Sequence, residues 1–357
     1  MFMTYRGRKF LSIPKVIQLL STVCLLCLVL PGCTEDEKAP DVSGIKVDLK
    51  TYRFDRDLAA IDTNNIAEGL QQLERKYPDF LNFFLDTLMG FNIQRNVTAE
   101  NPVIKVGLHA YLSHKDYRGM FDTVARHYPD TKDIDEQLTS GFQYLKHYIP
   151  STKEPKIIYM VSWLNNWAAI TYENIVGIGL DMFLGPEYPY YRSKGIPDFM
   201  NLQLKKEYIP VAVFRSIYQD KVPFMMDNRT LLDMMIQRGK ELYFLDKVLP
   251  FVPEHVRYAY TPGQLEWCRN NETEVYNFFI QQKMLYDNNW QKILRYVSDG
   301  PTSAGMPGES PGNVGSWIGL RIVQAYMAEN PKVTLEQLMA KNMDAQRFLL
   351  ESKYKPK

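Results

Sequence analysis

The chain has 357 residues, with 42 Lys plus Arg against 41 Asp plus Glu and a formal net charge of +1. That balance excludes nucleic acid or anionic lipid binding driven by a basic excess. Hydrophobic residues at 45% and aromatics at 13% are ample for one large core or two modest ones.

The chain opens with a basic stretch, Arg6, Arg8, Lys9 and Lys15, followed by the apolar run Val16–Leu30. At 15 residues that run is short for a membrane-crossing helix, which needs roughly 20. Leu30–Pro31–Gly32–Cys33 closes it, and Thr34–Glu35–Asp36–Glu37 follows at once. The junction resembles the lipobox of bacterial lipoproteins, with Pro31 the less usual residue. The resemblance implies cleavage before Cys33 and acylation of its sulfur and new amino terminus; the alternative is an uncleaved signal anchor. Removing residues 1–32 takes away four positive charges and leaves −3 on the mature chain. Cys24 and Cys27 leave with the signal and Cys33 is consumed by lipid. Only Cys268 remains, so the mature protein has no intramolecular disulfide. Residues 33–44 read as an acidic tether.

Beyond the tether, Ile45–Phe54 alternates as an early strand, and the pattern turns helical from Asp62 to Met89 and on to about Tyr148. Lys156–Ser162 and Ala168–Phe183 read as strands, the second broken by Gly177 and Gly179. Helices are expected over about 200–221 and 230–248, with Pro210 either kinking the first or starting its second half. Thr230 with Asp233 and Thr261 with Gln264 are start signals, the latter launching a helix to about Leu285. A Gly/Pro/Ser loop, Gly300–Gly312, precedes a helix to about Met327, and Thr334 caps a last one. The expectation is an α+β chain: a mostly helical single domain, 45–350, with a small sheet and a C-terminal tail, 351–357.

Gly308–Glu309–Ser310–Pro311–Gly312 matches G-x-S-x-G formally, but no strand leads into it and no histidine follows His255. Ser310 is therefore expected as a helix N-cap with Pro311 at the first helical position. Gly315 and Gly319 are expected to allow close helix packing. His109, His114, His127, His147 and His255 lack the spacing of a metal pair, and Cys268 reads as a small buried hydrophobe. Trp163, Trp167, Tyr172, Phe183, Tyr188, Tyr190 and Tyr191 suit either core plus capping loop or a recognition surface for protein or carbohydrate.

Several segments together resemble the gliding motility lipoprotein GldB family. They are Tyr52–Arg53–Phe54–Asp55–Arg56–Asp57, Tyr77–Pro78–Asp79–Phe80 and the run from Gly239 to Asp246. Tyr260–Thr261 through Leu265–Cys268, and Glu309–Ser310–Pro311–Gly312 through Val314–Gly315, complete the set. That family is distantly similar to predicted zinc-dependent proteases, which carry HExxH on one helix and Glu-Gly on the next. There, two His and one Glu hold zinc and the Glu between the histidines activates water. Here the HExxH position reads Phe214–Arg215–Ser216–Ile217–Tyr218 and the Glu-Gly position reads Arg238–Gly239. The resemblance thus implies a degenerate zincin-like scaffold without catalytic residues, metal or cofactor. Phe214, Arg215, Tyr218 and Arg238 would line the old cleft, the two arginines offering to bind a peptide carboxylate.

The resemblance further implies a cell-envelope protein on the periplasmic face or outer membrane, held to the membrane by lipidated Cys33. It would support gliding or type IX secretion machinery through protein partners, with no nucleic acid involved. Two other classes stay open at this point: a lipid-anchored hydrolase and a carbohydrate-binding envelope protein.

Overall fold

The structure, a computed structural model, describes residues 39–93, 101–165, 168–225, 228–340 and 342–357. The signal segment, Cys33, tether residues 34–38 and Trp167 lie outside the described residues. Within Asp41–Lys357, which forms one unit, strand β1 (Lys50–Arg53) runs straight into helix α1 (Phe54–Ala59). The strand is shorter than the alternation from Ile45 predicts. Residues 42–45 turn instead, with the Ile45 N–H donating to Val42 O at 2.9 Å. Gln143 Nε2 donates to Ile45 O at 2.9 Å, which satisfies that carbonyl outside the sheet. Phe54 ends the strand by entering the core, where it meets Tyr77, Phe80 and Phe84 edge-on at centroid distances of 4.6–5.2 Å.

The helical stretch that follows comprises α2 (Ile66–Lys76), a short turn continued by a π-helical segment (Phe84–Leu88), α3 (Pro102–Ser113), α4 (Lys115–His127) and α5 (Lys132–Tyr148). The chain then forms β2 (Lys156–Met160), β3 (Ala169–Tyr172) and β4 (Ile175–Gly179). The sheet order is β1-β2-β4-β3, with the first three parallel and β3 an antiparallel edge. Every residue of β4 is buried, as expected for an inner strand of a parallel set. The single broken strand expected over Ala168–Phe183 is thus a hairpin followed by a 3-10 turn at Leu180–Phe183. Its two-residue turn, Glu173–Asn174, places Glu173 at φ 50°, a left-handed conformation that its residue type does not announce.

The second half is helical: α6 (Ile209–Lys221), α7 (Leu231–Val248), α8 (Pro262–Asn270), α9 (Glu272–Gln281) and α10 (Trp290–Val297), then α11 (Val314–Glu329), α12 (Leu335–Ala340) and α13 (Ala345–Ser352). Pro210 opens α6 and does not kink it. The Thr230–Asp233 and Thr261–Gln264 capping boxes both form. The helix expected to reach Leu285 breaks at Asn271 into α8 and α9. Ser310 is not an N-cap: α11 begins four residues later at Val314, behind Asn313 at φ 64°. Ser310 is buried, and its Oγ accepts the Ser303 N–H at 3.4 Å.

Helices α7 and α11 cross at Gly239 and Gly319, close enough that a Cβ on Gly319 would lie 1.7 Å from Met235 O. Gly315 meets the end of α10 in the same way, 2.7 Å from Tyr296 O. The close approach read from Gly315 and Gly319 is therefore present, and each glycine serves a different neighbour. The residues expected to form a tail are docked. Tyr354 donates to the buried Glu272 at 2.9 Å, which also pairs with Arg321 at 2.9 Å. Thr273 Oγ1 donates to Lys357 O at 3.1 Å. These residues belong to the compact unit Asp41–Lys357.

Candidate functional site

Helices α6 and α7 pack side by side, and α6 also lies against the edge strand β3. This brings together the four residues expected to line a cleft, but in different roles. Phe214 is fully buried, its ring 5.0 Å from Phe142, in space left by Gly141. A Cβ on Gly141 would sit 2.4 Å from the Phe214 ring. Phe214 is a core residue and lines no cleft, which corrects the expectation for that position. Tyr218 is also buried, with its ring 5.2 Å from Phe244. Its hydroxyl has no hydrogen-bond partner among the described residues. Burial, and then the Glu241 charge, push its pKa above the ordinary tyrosine value.

Arg215 and Arg238 converge on one carboxylate that sequence reading missed. Glu241 on α7 is buried, with its Oε1 2.9 Å from Arg215 Nε and its Oε2 3.2 Å from Arg238 Nη1. Gln219 Nε2 donates to the same Oε2 at 3.2 Å. The Arg215 contact is a charge contact without hydrogen-bond alignment at Nε. The Arg238 guanidinium also covers the Phe224 ring at 4.1 Å. Burying a lone carboxylate costs several kcal/mol, and two guanidinium groups and an amide offset that here. The arginines therefore serve the fold first, and only one net positive charge remains to face outward. The signal for Glu241 was present in the i, i+3 spacing of Arg238 and Glu241 on one helix.

Replacing Glu241 by Gln should lower the unfolding free energy by about 2 kcal/mol, because both guanidinium groups lose their counter-charge. The figure lies below that for fully buried pairs because about a quarter of each arginine side chain is exposed, at 26% and 27%. Urea titration checks it, and adding Arg215→Met to Glu241→Gln should recover part of the loss.

This donor set does not fit a zinc ion. A phenyl ring, a phenol and two guanidinium groups offer no imidazole or free carboxylate, and the nearby Glu241 is already held by cations. Among the described residues no three His, Cys, Asp or Glu side chains form a metal-holding group.

The remaining sequence candidates separate. Trp163 is buried among Phe84, Tyr111, Tyr117 and Phe121, and Tyr191 is fully buried with its hydroxyl donating to Asp181 O at 2.8 Å. Tyr172 stacks on Phe83 at 4.2 Å. Phe183 is also buried, so Trp163, Phe183 and Tyr191 are core and Trp163 offers no face for a sugar, whereas Tyr190 is exposed, its ring 5.5 Å from that of half-buried Tyr188. Cys268 is buried, and burial pushes its thiol up to about 12, which disfavours the reactive thiolate.

Residues 35–356 match the family described as gliding motility protein GldB. The chain belongs to the GldB family. No curated protein and no solved structure matched. Among the described residues, no helix is long and apolar enough to cross a membrane.

The charged run that carries the GldB resemblance is architectural here. Arg53 holds the buried Asp55 through two bonds of 2.8 and 2.7 Å, and its Nη1 reaches Tyr128 O at 3.0 Å. Arg56 binds Pro129 O at 2.7 Å, while Asp57 accepts from Lys76 and the Tyr77 hydroxyl. Arg53 and Arg56 thereby tie β1–α1 to the turn between α4 and α5, and Asp57 ties it to the end of α2, while Asp55 holds Arg53 in place.

Proposed function

We propose that this GldB-family chain is an envelope lipoprotein, anchored through acylated Cys33, that supports assembly or stability of gliding and type IX secretion machinery. It acts by binding protein partners and not by catalysis. The observation that carries this reading is the family match over residues 35–356, which spans almost all of the chain after the lipobox. Residues Phe214, Arg215, Tyr218 and Arg238 support it, since a core ring and a guanidinium–carboxylate cluster occupy the positions where the related proteases place ligands and base. On this reading the α6–α7 region is a zincin-like scaffold that has exchanged its metal for the Glu241 cluster.

Metal analysis of the purified lipoprotein tests the reading. Zinc well below one equivalent is expected after dialysis against a weak chelator. A tightly bound stoichiometric ion, released together with peptidase activity, would overturn it.

A further inference from the structure

A groove of about 510 Å³ lies between the end of α6, one face of α7, and α12 with Asn342 and Met343 beyond it. Its apolar wall includes Ile236, Met225, Met339 and Met343. Methionine side chains adapt to irregular apolar surfaces and recur at sites that accept peptide segments. Tyr218, buried and with an unpartnered hydroxyl, contributes to the lining. An unpaired buried hydroxyl costs free energy that a ligand group would recover. On the same face of α6, one turn on, stands Lys221, exposed and without an ion pair among the described residues.

The charged lining residues are Lys221, Arg229 and Lys240 with Asp233 and Glu336, and of the cations Lys221 is the exposed one, since Lys240 is buried over the Phe348 ring and Arg229 lies beside Asp233. Asp233 is committed, since its Oδ2 takes the Thr230 hydroxyl at 2.6 Å and N–H at 2.9 Å, and Arg229 lies 3.8 Å away. The groove is also open to solvent and not an enclosed cavity. A small-molecule site normally encloses most of its ligand, whereas an open groove suits a chain that continues beyond it.

We propose that this groove docks a protein partner's peptide segment that places an apolar side chain on the methionine wall and a neighbouring carboxylate toward Tyr218 and Lys221. The proposal rests on the non-catalytic, partner-binding reading above and names where and what it binds.

The test uses the full lipoprotein in its native envelope, with p-benzoylphenylalanine in place of Met225 or, as a control, Val106; both positions are exposed. Illumination at 225 should give an adduct whose partner peptide, sequenced by mass spectrometry, carries an apolar residue next to Asp, Glu or a chain end. Tyr218→Phe and Lys221→Glu should each cut the adduct yield about tenfold, and Lys221→Arg should restore it. Tyr218→Phe should leave the urea midpoint unchanged or higher, because the hydroxyl has no hydrogen-bond partner among the described residues to lose; a purely structural Tyr218 would leave the adduct yield unmoved. No adduct at 225, a lipid adduct, a peptide without a carboxylate nearby, or a yield insensitive to both substitutions overturns the proposal. Adducts at 106 alone overturn the groove and leave the partner-binding reading standing. Zinc-dependent peptidase activity would overturn both.

Discussion

Gly319→Ala should lower the unfolding free energy by about 3 kcal/mol or more, a loss large enough to threaten accumulation of the folded domain. The added methyl carbon would lie 1.7 Å from Met235 O and 2.4 Å from Met235 C, and both are backbone atoms of α7. A flexible side chain could swing aside, but a helix backbone moves only as a unit, so α7 and α11 would have to separate along their contact. Their facing residues are fully buried: Met235 on one side, Ile318 and Ile322 on the other. Separation therefore forfeits close packing as well as the local contact. Gly239→Ala should act in the same direction, since its Cβ would meet Gly319 C at 2.2 Å.

Gly119 on α4 supplies the contrast. A Cβ there meets nothing within 4 Å, so Gly119→Ala should stabilise by about 0.5–1 kcal/mol through helix propensity alone. Urea titrations of the three variants at one temperature measure all of this. A Gly319→Ala cost below about 1 kcal/mol would mean that the two helices do not approach as closely as described.

These glycines also mark how much of the fold was legible in the chain. Helix starts were the clearest feature, because a capping box is a local hydrogen-bond pattern written in four consecutive residues. Thr230–Asp233, Thr261–Gln264 and Thr334–Gln337 all close as their side-chain chemistry predicts. What failed depends on backbone states that residue type leaves free. Glu173 takes a left-handed φ in the β3–β4 turn, and Asn313 takes one ahead of α11, which moves that helix start past Ser310. The docking of Tyr354 on Glu272 bridges 82 positions and leaves no trace in local patterning.

The candidate site divides the same way. That α6 and α7 would adjoin followed from the resemblance, and the structure brings Arg215 and Arg238 to one place. Which way the residues turn did not follow. Phe214 turns into the core because Gly141 opens space on α5, a neighbour distant in sequence. Glu241 was legible only as a charge three positions after Arg238 until α6 brought Arg215 to its other oxygen. That Phe214, Arg215, Tyr218 and Arg238 offer no metal ligand is readable from residue types alone. The Glu241 cluster is not, because its members come from separate helices.

Cys33→Ala should abolish the envelope function while leaving the folded domain unchanged, the largest functional effect expected here. The sulfur is the acyl acceptor in a lipobox, and alanine offers no nucleophile in its place. Each buried methylene of an acyl chain contributes about 0.8 kcal/mol, so two chains anchor a protein stably at the membrane, and their loss releases it. A protein that works by engaging membrane-bound partners depends on that confinement. The folded unit begins at Asp41, so the tether that remains, 33–40, can span at most about 29 Å when fully extended, which keeps the anchored domain at a high effective concentration near its partners. Stability should not change, because the core hydrogen bonds and ion pairs described above all lie within Asp41–Lys357. Complementation of a deletion strain measures the effect through surface spreading or type IX cargo secretion, with urea titration of the same variant as the control. A variant that complements fully while unanchored would refute the anchoring role. A variant with a lowered urea midpoint would instead show that Cys33 contributes to the fold.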